Sequence, residues 1–91
     1  MMDAVDPTVV DELERVAART PGVERVGSVR VRWAGHRLAA SLAIVVSADL
    51  SLRDSHAVAE AVRYELVHAV RHLDDVQVHV DLEPTDGRDP R

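Results

Sequence analysis

The stretch from Leu38 to Ser47 constrains the fold of this chain more than any other. Leu38, Ala40, Leu42, Ile44 and Val46 alternate with Ala39, Ser41, Ala43, Val45 and Ser47. Successive side chains of a strand point to opposite faces, so this period of two describes a strand with one apolar core face. Its other face consists of small residues, where a solvated strand usually carries long polar ones. Such a surface tolerates the close approach of another body.

The flanking segments supply what covers the apolar face. Asp6-Pro7 reads as a helix N-cap followed by proline at the first helical position. Val9, Val10, Leu13, Val16 and Ala17 then recur at helical spacing until Thr20-Pro21-Gly22 stops the helix. Val29, Val31 and Trp33 form the inward face of a strand whose outward face holds Arg30 and Arg32, and Ala34-Gly35 makes a tight turn into the Leu38 strand. Ser51-Leu52-Arg53-Asp54 resembles a capping box and opens a helix to about Val70, with Val58, Ala59, Val62, Leu66 and Val70 inward. Asp74-Asp75 is expected to turn the chain into a last strand. There Val76, Val78, Val80 and Leu82 face the core, and Gln77, His79 and Asp81 face out.

The order helix, strand, strand, helix, strand predicts an α+β fold, an open two-layer α-β-β-α-β sandwich with two helices over a three-stranded sheet. The crossover through the second helix places the third strand parallel to the second. Ninety-one residues make one domain, expected over 1–84, followed by a polar disordered tail at 85–91. Phe is absent and aromatics are 2% of the chain, so the core is built from Val, Leu, Ile and Ala. A core this thin gains from a partner chain or a metal.

Composition excludes several functions. The net charge is -5 and the 11 basic residues, all arginine, are interspersed with acids, so no basic patch is present to hold nucleic acid. Without cysteine there are neither disulfides nor thiolate metal sites. No apolar run approaches the ~20 residues of a spanning helix. Cys and Lys nucleophiles are missing, no serine sits in a Gly-x-Ser-x-Gly elbow, and no phosphate loop or glycine fingerprint occurs. The chain reads as a soluble binding module, not an enzyme.

His79 and Asp81 are the sharpest pair. Residues i and i+2 of a strand share a face at roughly 6–7 Å, and an imidazole with a carboxylate at that distance can converge on one divalent ion. The alternative is simply a polar outward face. His56, in the first turn of the second helix, is either a third donor or an exposed side chain. His36 follows the hairpin glycine and reads as solvent-facing. His68 and His72 have the i, i+4 spacing of a helical chelate, but His72 lies where the helix ends, so the pair reads as capping and solvation.

Taken in order, Met2-Asp3-Ala4-Val5-Asp6-Pro7, Pro21-Gly22-Val23, Arg32-Trp33-Ala34-Gly35-His36-Arg37-Leu38, Asp49-Leu50-Ser51-Leu52 leading to His56, and Val76-Gln77-Val78-His79-Val80-Asp81 resemble the C-terminal domain of the cation diffusion facilitator family. The resemblance covers Met2 to Pro84. It implies a ferredoxin-like, metallochaperone-like fold and a V-shaped homodimer on the cytoplasmic side of the membrane. It further implies that this is a domain excised from a proton-coupled divalent-cation efflux transporter whose membrane portion is absent from this chain. Carried over, His79 and Asp81 match the family's ligand pair on the last strand, and His56 matches a histidine at the start of the second helix. The expected ion is Zn²⁺ or another divalent transition-metal cation, held weakly, because Ala39, Ser41, Ala43, Ser47 and Gly27 stand where members often carry ligands. The alternatives are a structural dimerisation domain without metal, and a stand-alone ferredoxin-like regulator of a small ligand.

Overall fold

The computed structural model describes residues 5–83. The Met2–Ala4 part of the resemblance and the tail expected to be disordered lie outside the described residues. Helix α1 (Pro7–Arg19) is followed by strands β1 (Arg25–Ala34) and β2 (Arg37–Ser47), helix α2 (Leu52–Ala69) and strand β3 (Leu73–Glu83). The expected order is reproduced element by element.

Local chemistry explains the boundaries. The Asp6 carboxylate accepts a hydrogen bond from the Thr8 N–H at 3.0 Å, with Pro7 opening the helix. At the other end of α1 the buried Thr20 hydroxyl donates to the Val16 carbonyl at 3.1 Å, supplying a donor to a carbonyl of the last turn. Ser51 Oγ accepts from the Asp54 N–H at 3.0 Å and starts α2. The buried Ser55 hydroxyl donates to the Leu52 carbonyl at 2.9 Å.

The sheet order is β1-β2-β3. β1 and β2 form an antiparallel hairpin whose loop is Gly35-His36, one residue beyond the expected Ala34-Gly35. Gly35 has φ +68, the positive value that favours glycine at the first central position of a type II′ hairpin turn. β2 and β3 pair in parallel, as the crossover through α2 requires. Both helices cover the same face. All five residues expected on the core face of β2 are buried: Leu38, Ala40, Leu42, Ile44 and Val46. They pack with Leu13, Val16 and Ala17 of α1 and Val62 and Leu66 of α2.

Three expectations are corrected. The turn into β3 lies at Arg71-His72, with His72 at φ +70, and not at Asp74-Asp75. Both aspartates belong to β3. Leu38 pairs with Leu73 and Ala39 with Asp75, so Asp74 is an extra residue at a bulge, where its carboxylate meets Arg37 at 3.1 Å. Trp33 is 43% exposed and Leu82 59% exposed, although both were expected inward. Each sits near the end of an edge strand, with a neighbouring strand on one side only.

The Asp6 cap makes a prediction of its own. The backbone N–H of Thr8, aided by the Thr8 side chain, holds the Asp6 carboxyl below its ordinary value of 3.8. A carboxyl with a folded-state pKa depressed in this way stabilises the fold above its unfolded pKa, and the contribution is lost as pH falls through the folded value. Asp6→Asn keeps a capping oxygen without the titration. The urea midpoints of the two proteins are expected to differ by a constant amount above about pH 5, and the gap is expected to close in the acid range. A gap independent of pH would remove the assigned role of Asp6.

Candidate metal centre on the open sheet face

The face of the sheet opposite the helices is where the candidate residues collect. On β3, Val76, Val78 and Val80 turn toward the core, which sends Gln77, His79 and Asp81 to the open side. The parallel register sets His79 beside Ala43 and Asp81 beside Val45. Both are exposed, and the floor next to them is made of side chains too short to obstruct a ligand. Across β2, Arg25 is the register partner of Val45, but its guanidinium is engaged elsewhere, at 2.7 Å from the Glu83 carboxylate.

His56 is exposed in the first turn of α2, in the layer that covers the opposite face. Among the described residues no three His, Cys, Asp or Glu side chains gather where one ion could sit. One chain therefore offers His79 and Asp81 as a pair, without His56 beside them. An imidazole and a carboxylate suit a divalent transition metal, but two donors fall short of the three or four protein ligands usual for zinc.

The other histidines have local roles. His68 Nδ1 lies 2.8 Å from the Tyr64 carbonyl, and its ring centroid is 4.1 Å from that of Tyr64. His72 turns the chain, its carbonyl accepts from the Leu38 N–H at 2.7 Å, and its ring lies 6.3 Å from Trp33. This fits the capping and solvation reading of the pair.

One feature of the open face was not singled out in the sequence. A groove of about 320 Å³ runs over Ala39 and Ser41 between Arg30 and Arg32 on β1 and Asp75 and Gln77 on β3. The available signal was the two-residue spacing of Arg30 and Arg32 beside a strand with a small-residue face.

A comparison with protein families matches residues 5–83 to the family described as "Cation efflux protein, cytoplasmic domain". The chain belongs to that family. Among relatives of this cation efflux domain is a probable cation efflux system protein of Mycobacterium tuberculosis. It is 42% identical over 79 residues, which is 87% of this chain and 24% of the relative. Manganese efflux system protein MneP of Bacillus subtilis is 26% identical over 81 residues, 89% of this chain and 27% of its own length. Magnetosome protein MamB of Paramagnetospirillum magneticum is 30% identical over 84 residues, 92% of this chain and 28% of that protein. The chain thus spans about a quarter of the length of these relatives. Among solved structures, a variant of the MamM CTD superposes with a TM-score of 0.81 at 26% identity, covering 85% of this chain and 96% of that one. Among the described residues of the cation efflux domain, no helix is long and apolar enough to cross a membrane.

Proposed function

We propose that this domain is the dimerising, metal-responsive arm of a divalent-cation efflux transporter, carried on the cytoplasmic side of the membrane beside the transporter's own membrane portion. The observation that supports the reading best is the placement of His79 and Asp81 side by side on an exposed sheet face with a small-residue floor. A second copy meeting this face completes the arrangement. His79 and Asp81 supply two ligands, and the remainder come from water and from donors on the open face of the second copy, since His56 stands in the helix layer on the far side of the sheet. Zn²⁺ fits these donors, as do other divalent transition metals. The manganese efflux relative supports a divalent ion of this class without favouring zinc.

In this account the ion binds the closed dimer better than the open one. It shifts the balance only by that difference in affinity, ~1–3 kcal/mol for typical coupling. In the full-length transporter, the closed state favours exchange of protons for the ion through the membrane portion.

Calorimetric titration of the 91-residue chain with Zn²⁺ at neutral pH tests the site. Saturable binding is expected, and His79→Ala is expected to abolish it. Because a proton and a metal ion compete for the same imidazole nitrogen, affinity is expected to fall in acid. Binding that survives His79→Ala, or an affinity flat down to about pH 5, would sink the histidine-ligand reading. The absence of a three-donor cluster among the described residues favours a second reading, a dimerisation domain without metal. Failure of the unmodified chain to bind Zn²⁺, Mn²⁺ and Ni²⁺ alike would favour it.

A further inference from the structure

One end of the open face is lined by charges that are not paired within the chain. β1 sets Arg32 beside Ala39 and Arg30 beside Ser41. β3 sets Asp75 and Gln77 against the same two residues from the other side. At the rim Arg37 and Asp74 neutralise each other at 3.1 Å, as Arg25 and Glu83 do at 2.7 Å toward the far end of the sheet. Among the described residues Arg30, Arg32 and Asp75 have no ion-pair partner. Between them lies the groove of about 320 Å³. Its floor is sheltered. Ala39 is only 8% exposed although both helices lie on the other face, because the side chains of its register partners rise on either side.

The two walls differ in charge and in what they can hold. Arg30 and Arg32 stand two positions apart on one strand, so their backbones are roughly 6–7 Å apart and both side chains leave the same face. Two long guanidinium arms at that spacing can converge on the oxygens of one phosphate, a group that arginine binds in a fork. The opposite wall is two inter-strand spacings away, roughly 10 Å at the backbone. It offers the Asp75 carboxylate, which only accepts hydrogen bonds, and beside it the Gln77 amide. Ser41 adds a hydroxyl on the floor. Two guanidinium groups and one carboxylate leave the groove with one net positive charge. A cation alone is repelled by the arginines, and a plain anion leaves Asp75 facing it. The charge complement is a phosphate monoester that also carries an ammonium group.

We propose that this groove binds a small amino-phosphate, with the phosphate on Arg30 and Arg32 and the ammonium group on Asp75. The site does not use His79 or Asp81, so it goes beyond the metal-responsive reading and can stand or fall without it. Calorimetric titration of the metal-free 91-residue chain with O-phosphorylethanolamine at pH 7.5, where the phosphate is mostly a dianion, is the test. Saturable binding is expected. Ethyl phosphate, which lacks the amine, is expected to bind about tenfold more weakly, and ethanolamine not measurably. Asp75→Asn is expected to erase the preference for phosphorylethanolamine while leaving ethyl phosphate bound at least as tightly. Arg30→Gln and Arg32→Gln are each expected to weaken both phosphates at least about tenfold. Arg15→Gln, at an exposed position on α1, is expected to stay within about twofold, because surface charges at a distance are screened. All four residues are exposed, and unchanged circular dichroism keeps folding out of the comparison. Absence of saturable binding overturns the proposal, as does a preference for the amine that survives Asp75→Asn. Equal weakening by Arg15→Gln also overturns it, since binding would then follow net charge and not the groove.

Discussion

Leu42→Ala is expected to cost about 3–5 kcal/mol, the range for a large-to-small change in a core that cannot collapse around the loss. Leu42 is 1% exposed and sits mid-way along the central strand, with Val29 and Val78 as its register partners. With strands on both sides and helices above, little can move in to fill the space. A domain of this size carries on the order of 4–12 kcal/mol of total stability, so the substitution removes a large share of it. Urea denaturation is the measurement, with Ser41→Ala as control. Ser41 is the next residue along but faces the open side, and its loss is expected to cost under about 0.5 kcal/mol. Similar midpoint shifts for the two variants would refute the assignment of the two faces of β2.

The second large effect is expected at Gly22. Its φ is +97, and a Cβ built there would stand 2.6 Å from Val58 Cγ2. Alanine at this position suffers twice. The left-handed backbone costs about 1–2 kcal/mol for an L residue, and the crowding against a stiff β-branched side chain adds about 1–3 kcal/mol. Gly35 separates the two contributions, since it also has positive φ, +68, but nothing within 4 Å of a built Cβ. Gly22→Ala is therefore expected to be the more destabilising by about 1–3 kcal/mol in urea denaturation. Equal costs would mean that the contact between the α1–β1 turn and α2 does not constrain the fold.

Much of the fold was legible because the strongest signals were periodic. The alternation in β2 predicted five inward residues, and all five are buried. The caps at Asp6 and Ser51 were legible because few side chains satisfy a free helix N–H, and both do so here. The errors fall where the period breaks. Val26 and Val29 both pack on the core although they stand three positions apart, because the register shifts between them. At β3, the acidic Asp74-Asp75 imitates a turn, while the real reversal is made by His72 in a left-handed conformation that its residue type announces only weakly. Trp33 and Leu82 continue an apolar alternation past the point where the helices cover it. The candidate site was half legible. Strand spacing alone puts His79 and Asp81 on one face, whereas the layer holding His56 is decided by the packing of α2.

The parallel pairing of β3 with β2 has a bearing on how the molecule assembles. The β1–β2 hairpin closes through two residues, but β3 can dock only after the chain has threaded the whole 18-residue helix α2 and both of its connections. Contacts between residues far apart in sequence carry a greater loop-closure cost and are made later. The strand bearing His79 and Asp81 is thus expected to dock after the hairpin has formed. An ion gripped there would act as a latch on the final step of folding, and the native lifetime of the sheet would lengthen with the metal concentration around it.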